Sequence, residues 1–465
     1  MAKGNAMQQN TLRTQSREES VPSALDRVRQ VARKDREVCF TALLHHVTID
    51  RLRDAFLALR RDAAPGVDGE KWRHYAEEME ERLRDLHDRV HRGAYRAKPS
   101  RRVLIPKADG GERALGVASL EDKIVQRAVV EVLNAIYEED FLGFSYGFRP
   151  TRSPHHALDA LAVGILRKRV NWVLDADIRG FFDTIDHGWL LRFLEHRIGD
   201  PRLLRLVQKW LCAGVLENGK RAKTEAGTPQ GATVSPLLAN VYLHYVFDLW
   251  ADQWRRRHAR GDVVIVRFAD DIVVGFQHRG DAERFEEALR ERFARFHLEL
   301  HGDKTRLVEF GRHADRNRRG RGLGKPETFD FLGFTHICGR SRQGRFLLQR
   351  KTMRTRMRAK LREVKTELRR RSHLPIPEQG RWLASVVRGH YAYYAVPTNG
   401  GAVSAFSYWV VHLWRRSLLR RSQKARVSWS RMARYRTRWI PPARILHPWP
   451  EQRIDVWTRG RSPVR

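Results

Sequence analysis

A chain of 465 residues has room for about three domains, and an apolar share of 42% is enough for a sizeable core. Its 89 Lys and Arg against 54 Asp and Glu leave a formal charge of +35, which points to a polyanionic partner, nucleic acid first and an acidic membrane surface second. Three scattered cysteines (Cys39, Cys212, Cys338), a polar N-terminus and the lack of any apolar run near 18 residues exclude a disulfide framework, a secretory leader and a membrane span, and fit a reducing cytoplasm.

Residues 1–23 are polar and aperiodic, the pattern of a disordered tail. Helical periodicity runs from Ala24 to Arg60, breaks at Ala64–Glu70 (APGVDGE), and resumes in a charged helix from Trp72 to His91. Arg101–Val117 reads as two strands joined by an Ala-Asp-Gly-Gly turn, and a helix follows over 121–139. A strand opens the stretch Asn171–Phe182. Ser235–Trp250 reads as a helix with Ser235 as N-cap and Pro236 at its first position. Asp262–Phe276 is two apolar strands around a short polar centre, and Arg312–Glu327 is an exposed loop rich in Arg and Gly. Met353, Met357, Leu361, Val364 and Leu368 form the apolar stripe of a helix that is otherwise basic. Strands and helices mix throughout, so the fold class is α+β.

Charge is uneven along this order. From Ser341 to Arg465 there are 30 Lys and Arg against five Asp and Glu, and seven of the 13 tryptophans. The expected break lies near Gly339, between a nearly balanced body and a basic, aromatic-rich module.

The residues that carry chemistry are acidic. Asp270 and Asp271 sit together between the apolar runs VVIV and IVVGF. Two adjacent carboxylates at that place are costly unless a cation neutralises them, although Asp is also common in plain hairpin turns. Asp175 and Asp177 end another strand and share one of its faces. Three or more hard oxygen ligands at strand ends suit Mg²⁺, and two such ions about 3.5–4 Å apart serve in-line displacement at phosphorus. That chemistry is nucleotidyl transfer. A third element, Thr228–Pro236 (TPQGATVSP), is a tight loop before a helix, where backbone N–H groups can approach an anion.

Seven blocks occur in one order: Arg102–Val117, Ser145–Ser153 (SYGFRPTRS), Asp175–His187 (DADIRGFFDTIDH), Gly227–His244, Arg267–Val274 (RFADDIVV), Leu298–Thr305 and Phe329–Phe334. Together they resemble bacterial group II intron-encoded reverse transcriptases, or maturases. APGVDG resembles that family's N-terminal block, RGHYAYYAVPTN (Arg388–Asn399) its thumb, and RILHPWP and TRGRSPVR its endings, so the likeness covers about residues 25–465.

The resemblance implies a right-hand polymerase. Residues 24–339 would form fingers and palm, 340–410 the thumb or maturase domain, and 411–465 a basic region that binds nucleic acid. Asp177, Asp270 and Asp271 match the catalytic aspartates that hold two Mg²⁺ ions, with the Ile178 carbonyl as a further metal ligand. Phe182, five residues after Asp177, matches the ring that excludes a ribose 2′-hydroxyl. Gln230 matches a contact to the incoming nucleotide, Lys107 and Arg113 suit its triphosphate, and Lys304 matches a general acid at the leaving pyrophosphate. Asp175 and Asp183 match acidic positions of open role. The implied partners are the intron RNA, a DNA target and primer, and dNTPs, with no membrane; monomer and homodimer both stay open.

Three departures touch the motifs. Phe268 stands where the family commonly has Tyr, Ala232 where it has a second Gly, and Arg113–Ala118 (RALGVA) lacks two prolines. None removes a catalytic carboxylate. The absence of CxxC pairs leads us to expect no HNH endonuclease domain. Two other readings are an RNA-binding maturase with a vestigial polymerase site, and a domesticated reverse transcriptase in phage defence.

The tail's charge makes RNA affinity fall steeply with salt, with a log–log slope of about −0.7 to −0.9 per phosphate neutralised, measured by titration at several salt concentrations. Removal of the residues after Gly339 is expected to abolish that slope.

Overall fold

Among the described residues, side-chain caps at Thr48, Ser119, Ser153, Asp186, Asp200 and Ser428 start six of the helices. The computed structural model describes residues 24–106, 112–217, 220–222, 226–229, 231–421 and 426–458, so the expected N-terminal tail lies outside the described residues. Two units interleave along the sequence: 1–103, 115–141 and 185–242 in the first, 104–114, 142–184 and 243–465 in the second.

The chain opens with α1 (Ala24–Lys34), α2 (Ile49–Leu57), α3 (Trp72–Glu77), α4 (Met79–His91), β1 (Ser100–Pro106), β2 (Glu112–Val117) and α5 (Leu120–Asp140). It enters the second unit for α6 (Pro154–Arg167), β3 (Trp172–Asp177) and α7 (Phe181–Thr184). The first unit resumes with α8 (His187–Glu195), α9 (Pro201–Cys212), β4 (Val215–Glu217), β5 (Lys220–Ala222) and α10 (Ser235–Leu243). The second continues with α11 (Leu249–Arg257), β6 (Val263–Phe268), β7 (Asp271–Phe276), α12 (Arg279–Ala294), β8 (Arg306–Glu309), α13 (Ala314–Gly320), β9 (Phe329–Phe331), β10 (Phe334–Arg340) and β11 (Phe346–Thr352). Helices α14 (Arg354–Arg370), α15 (Ile376–Tyr394), α16 (Gly400–Leu419), α17 (Trp429–Trp439) and α18 (Pro450–Thr458) complete it.

In the first unit α5 is the central helix. Ile124, Val125, Ala128, Val129, Val132, Leu133 and Ile136 are all buried, and α1 and α2 pack against it. No residue of this helix is exposed, its polar side chains being half-buried or buried, which places it in the middle of its unit. Ser119 caps it, its hydroxyl accepting from the Asp122 N–H at 3.3 Å.

The periodic run Ala24–Arg60 is not one helix but α1, a short 3₁₀ turn at Leu44–His46, and α2. Distant polar groups divide it. Asp200 accepts from the N–H groups of Leu43 and Leu44 at 2.8 and 2.9 Å. Arg197 donates to the carbonyls of Asp35 and Val38 at 3.2 and 2.9 Å while its Nε pairs with Asp140 at 2.9 Å. Similarly, the charged run Trp72–His91 breaks at Glu78 into α3 and α4.

The second unit is built on an antiparallel sheet of order β6-β7-β3-β8 and a second sheet of order β11-β10-β9. The apolar face of α6 shares one core with Val173, Val264, Val266, Val273, Phe334 and Leu348. Helices α14 to α17 enclose another core around the fully buried Trp414. Val364 and Leu368 of the expected stripe are buried there, with Met357 and Leu361 partly covered. C-terminal α18 packs on α6, where Arg453 and Arg350 both clamp the buried Asp159 at 3.0 and 2.8 Å.

Three readings of the sequence change. The helix expected over Ser235–Trp250 runs on to Arg257, through a π turn at His244–Asp248, and the Ser235 hydroxyl donates to the Pro229 carbonyl at 3.0 Å instead of capping. The loop Arg312–Glu327 contains α13. Gly339 lies inside the β10–β11 hairpin, opposite Leu347. Leu348, Val396 and Ile454 share the core of the main sheet. A chain cut after Gly339 therefore strips that core, and the tail's charge is better tested by single substitutions. Among the described residues no helix is long and apolar enough to cross a membrane, and all three cysteines are free thiols.

Arg197→Ala leaves Asp140 buried without its partner, and should lower stability by about 3–5 kcal/mol, as measured by chemical denaturation.

Candidate active site

The acidic residues meet where β3 and β7 run side by side. Asp177 of β3 is directly opposite Asp271 of β7, so their side chains rise on the same face. Asp175, two residues back, shares that face and stands opposite Arg306 of β8. The turn between β6 and β7 has only Ala269 and Asp270 between the paired Phe268 and Asp271. Ala269 takes a left-handed conformation, φ 57°, which an L-residue adopts only when its surroundings impose it.

Those surroundings come from two other segments. Ser145–Gly147 runs alongside β6: Tyr146 N–H donates to the Arg267 carbonyl at 2.8 Å and Arg267 N–H to the Phe144 carbonyl at 2.9 Å. A Cβ on Gly147 would meet the Ala269 nitrogen well inside contact distance, so only glycine allows this backbone to lie against the turn. Beneath it, the fully buried Arg267 makes a two-pronged ion pair with Asp248, at 2.7 and 2.6 Å. The same guanidinium donates to the Ala269 carbonyl at 3.0 Å and to Ser145 Oγ at 2.7 Å.

Electrostatics single out the cluster. Asp271 still reaches solvent at the strand end, but the protein packed around it raises it to about 7, reinforced by repulsion from Asp270 and Asp177 and opposed by Lys304 and Arg356. Burial raises Asp175 to about 7, opposed by Arg306 and reinforced by Asp271, Asp330 and Asp177. Lys304 Nζ lies 2.9 Å from Asp177 Oδ2. Among the described residues no group of three or more His, Cys, Asp or Glu side chains is closed into a metal cage. The donor set nevertheless suits a hard divalent cation, because repelling carboxylates at strand ends gain most from one.

Other expected residues are placed as follows. Ile178 pairs with Leu300 across a bridge flanked by hydrogen bonds from Arg179 N–H to Glu299 and from His301 N–H to the Asp177 carbonyl. Antiparallel alternation turns the Ile178 carbonyl to the other edge. Phe182 is buried in α7, its ring edge-on to Phe181 at 5.5 Å and to Phe148 at 6.4 Å. Asp183 begins its polar side. Lys107 and Gln230 lie outside the described residues; Arg113 falls in β2, with its side chain outside them. Gly231 has φ 108° and a Cβ there would meet the Gly116 carbonyl at 2.8 Å. Ala232 is buried and lines a small internal gap with Ala118, Gln126 and Leu238, so its methyl fills the unit's interior.

A cleft of about 530 Å³ opens beside Asp271, lined by Asp330, Leu332, Gly333, Met353, Arg356 and Tyr393 among others. Tyr393 Oη donates to the carbonyl of Leu332 at 2.9 Å, which holds another left-handed residue, φ 48°. Sequence reasoning missed Gly147, Asp248, Arg267 and Arg356 as parts of the site. A lone arginine inside the apolar run VVIVRF was the one visible signal.

Two-residue hairpin, crossing carboxylates and flanking cations are the setting of a nucleic-acid polymerase, and the comparisons agree. Residues 105–336 match the family model described as reverse transcriptase (RNA-dependent DNA polymerase). Protein YkfC of Escherichia coli K12 is 33% identical over 313 residues, 60% of this chain and 77% of that protein. The group II intron-encoded protein LtrA of Lactococcus lactis subsp. cremoris is 42% identical over 166 residues, 36% of this chain and 27% of LtrA. A 91 kDa protein in a cob intron of Schizosaccharomyces pombe is 45% identical over 146 residues, 31% of this chain and 18% of that protein. The chain belongs to the reverse transcriptase family. Within it, the chain is similar to group II intron-encoded proteins such as LtrA, and its match spans about a quarter of LtrA's length.

Raised carboxyl pKa values mean that the folded chain binds more protons than the unfolded one between about pH 4 and 7. This contribution to stability is complete below the unfolded pKa and is lost as pH rises through the folded value. The thermal midpoint in chelator should fall from pH 5 to pH 8, with a shallower fall for Asp271→Asn.

Proposed function

We propose that the chain extends a DNA primer on an RNA template and that it binds the RNA of its own intron to assist splicing and mobility. The observation that carries the polymerase reading is the register of Asp177 against Asp271, with Asp270 beside it in a turn fixed from below. In this reading the sheet β6-β7-β3-β8 is the palm, the β1–β2 hairpin and the helices before it are the fingers, and α14 to α16 are the thumb. The hairpin β10–β11 goes with the palm, because its Phe334 and Leu348 share the palm's core. The basic C-terminal region then begins with α17 rather than within α16.

Asp177, Asp270, Asp271 and the Ile178 carbonyl would hold two Mg²⁺ ions. Such ions, when bound, lower the pKa of a primer 3′-hydroxyl and neutralise triphosphate charge. The protein's own groups do the rest. Phe182 presents a rigid ring where a ribose 2′-hydroxyl would otherwise fit. Lys304, the counter-charge of Asp177, would give a proton to the leaving pyrophosphate. Arg113, Lys107 and Gln230 would bind the incoming dNTP. Arg356 adds a positive charge beside Asp271 in the same cleft. The basic module would take the RNA backbone, since 30 cations face only five acids after Ser341.

Primer extension on an RNA template with Mg²⁺ tests this reading. Wild type should incorporate dNTPs, and Asp270→Ala with Asp271→Ala should fall to background. Equal incorporation by both overturns it. Tight RNA binding with no incorporation by wild type would instead favour a maturase with a vestigial polymerase site.

A further inference from the structure

Among the helices of the C-terminal bundle, α16 and α17 leave a cleft of about 460 Å³, lined by Tyr408, Val411, His412, Trp429, Met432 and Arg436. That volume is in the range of sites for small organic ligands. Tyr408 and His412 are four apart on α16; Trp429, Met432 and Arg436 recur every three or four residues on α17, so each helix turns one face into the cleft. The rings are not core residues. Tyr408 is 55% exposed and Trp429 48% exposed, although the bundle has its own core around Trp414.

These rings are held in place before any ligand arrives. The Arg415 guanidinium stacks on the Trp429 ring at 4.5 Å, and its Nε donates to the Val427 carbonyl at 3.0 Å. His412 lies 4.6 Å from the Trp429 ring and 4.1 Å from Tyr408, tilted against both. A cation on an indole fixes its orientation, and a tryptophan or tyrosine loses little entropy on binding a flat partner. Arg436 sets a positive charge at the rim. Flat aromatic faces beside guanidinium groups are complementary to one chemical class, a planar base joined to an anionic phosphate.

We propose that this cleft is a binding site for an unpaired nucleotide of RNA, with the base stacked against Trp429 and Tyr408 and its phosphate met by Arg436. The inference rests on the RNA-binding reading given above and names one place where it acts. It also explains why bulky rings stay at the surface of a helix pair that could have buried them. A large exposed aromatic patch marks a contact with something else.

The test uses the full chain and two probes, an unstructured oligoadenylate RNA and an RNA duplex. Trp429→Ala and Tyr408→Ala should each weaken oligoadenylate binding about tenfold, the loss of one stacking platform. Duplex affinity and the salt slope should stay as in wild type, because no phosphate contact is removed. Trp429→Phe, which keeps a ring, should restore most of the affinity. RNA carrying 5-iodouridine should crosslink to Trp429 or Tyr408. Unchanged oligoadenylate affinity in both alanine variants overturns the site and leaves the general RNA reading intact. So does an equal loss on duplex, which would mean a general effect on the fold. Failure of wild type to bind either RNA overturns both.

Discussion

The buried ion pair between Arg267 and Asp248 is the interaction on which the candidate active site depends. Neither side chain is exposed to solvent. In such a place the attraction of the pair roughly offsets the cost of drying it, so its net contribution to stability is small. Its effect is on geometry. The planar guanidinium has donors at fixed angles, and Arg267 uses them on Asp248, on the Ala269 carbonyl and on Ser145. The left-handed turn that carries Asp270 is thereby held from below, while Gly147 allows a neighbouring backbone to press on it from the side. The π turn at His244–Asp248 belongs to the same arrangement, since all its described polar ends but Tyr245 are turned inward and Asp248 is completely enclosed.

Above that turn the problem is reversed. Asp177 and Asp271 rise on one face with Asp175, and their mutual repulsion is met by cations from elements later in the chain: Lys304, Arg306 and Arg356. A strongly basic protein thus gathers several carboxylates in one small area.

The basic C-terminal segment is not an appendage. Phe334 and Leu348 sit in the core of the main sheet, and Ile454 joins them from near the end of the described chain. Arg350 and Arg453 converge on Asp159, a carboxylate of α6. Charge in this segment is therefore carried on a rigid frame, which suits recognition of a shaped RNA better than a flexible tail would.

Much of this was legible in the sequence. Paired aspartates between apolar runs located the acidic hairpin of the candidate site, strand alternation put Asp175 and Asp177 on one face, and the stripe from Met353 to Leu368 marked a bundle helix. Local signals of this kind survive folding because they depend on neighbours a few residues away. What failed had distant causes. No periodicity in Ala24–Arg60 reveals that Asp200 and Arg197 will cap and divide it. Nor does a composition step at Gly339 reveal that the residue will sit in the middle of a hairpin. The sequence by itself determined the class of enzyme, the acidic residues of the candidate site and the excess of basic residues after Ser341. Only the tertiary structure decided that Asp177 faces Asp271, that Arg267 and Gly147 fix the turn between them, and that Tyr408 and Trp429 line one cleft. Register, burial and convergence are properties of chain segments brought together from far apart, and those contacts are written in no local stretch of residues.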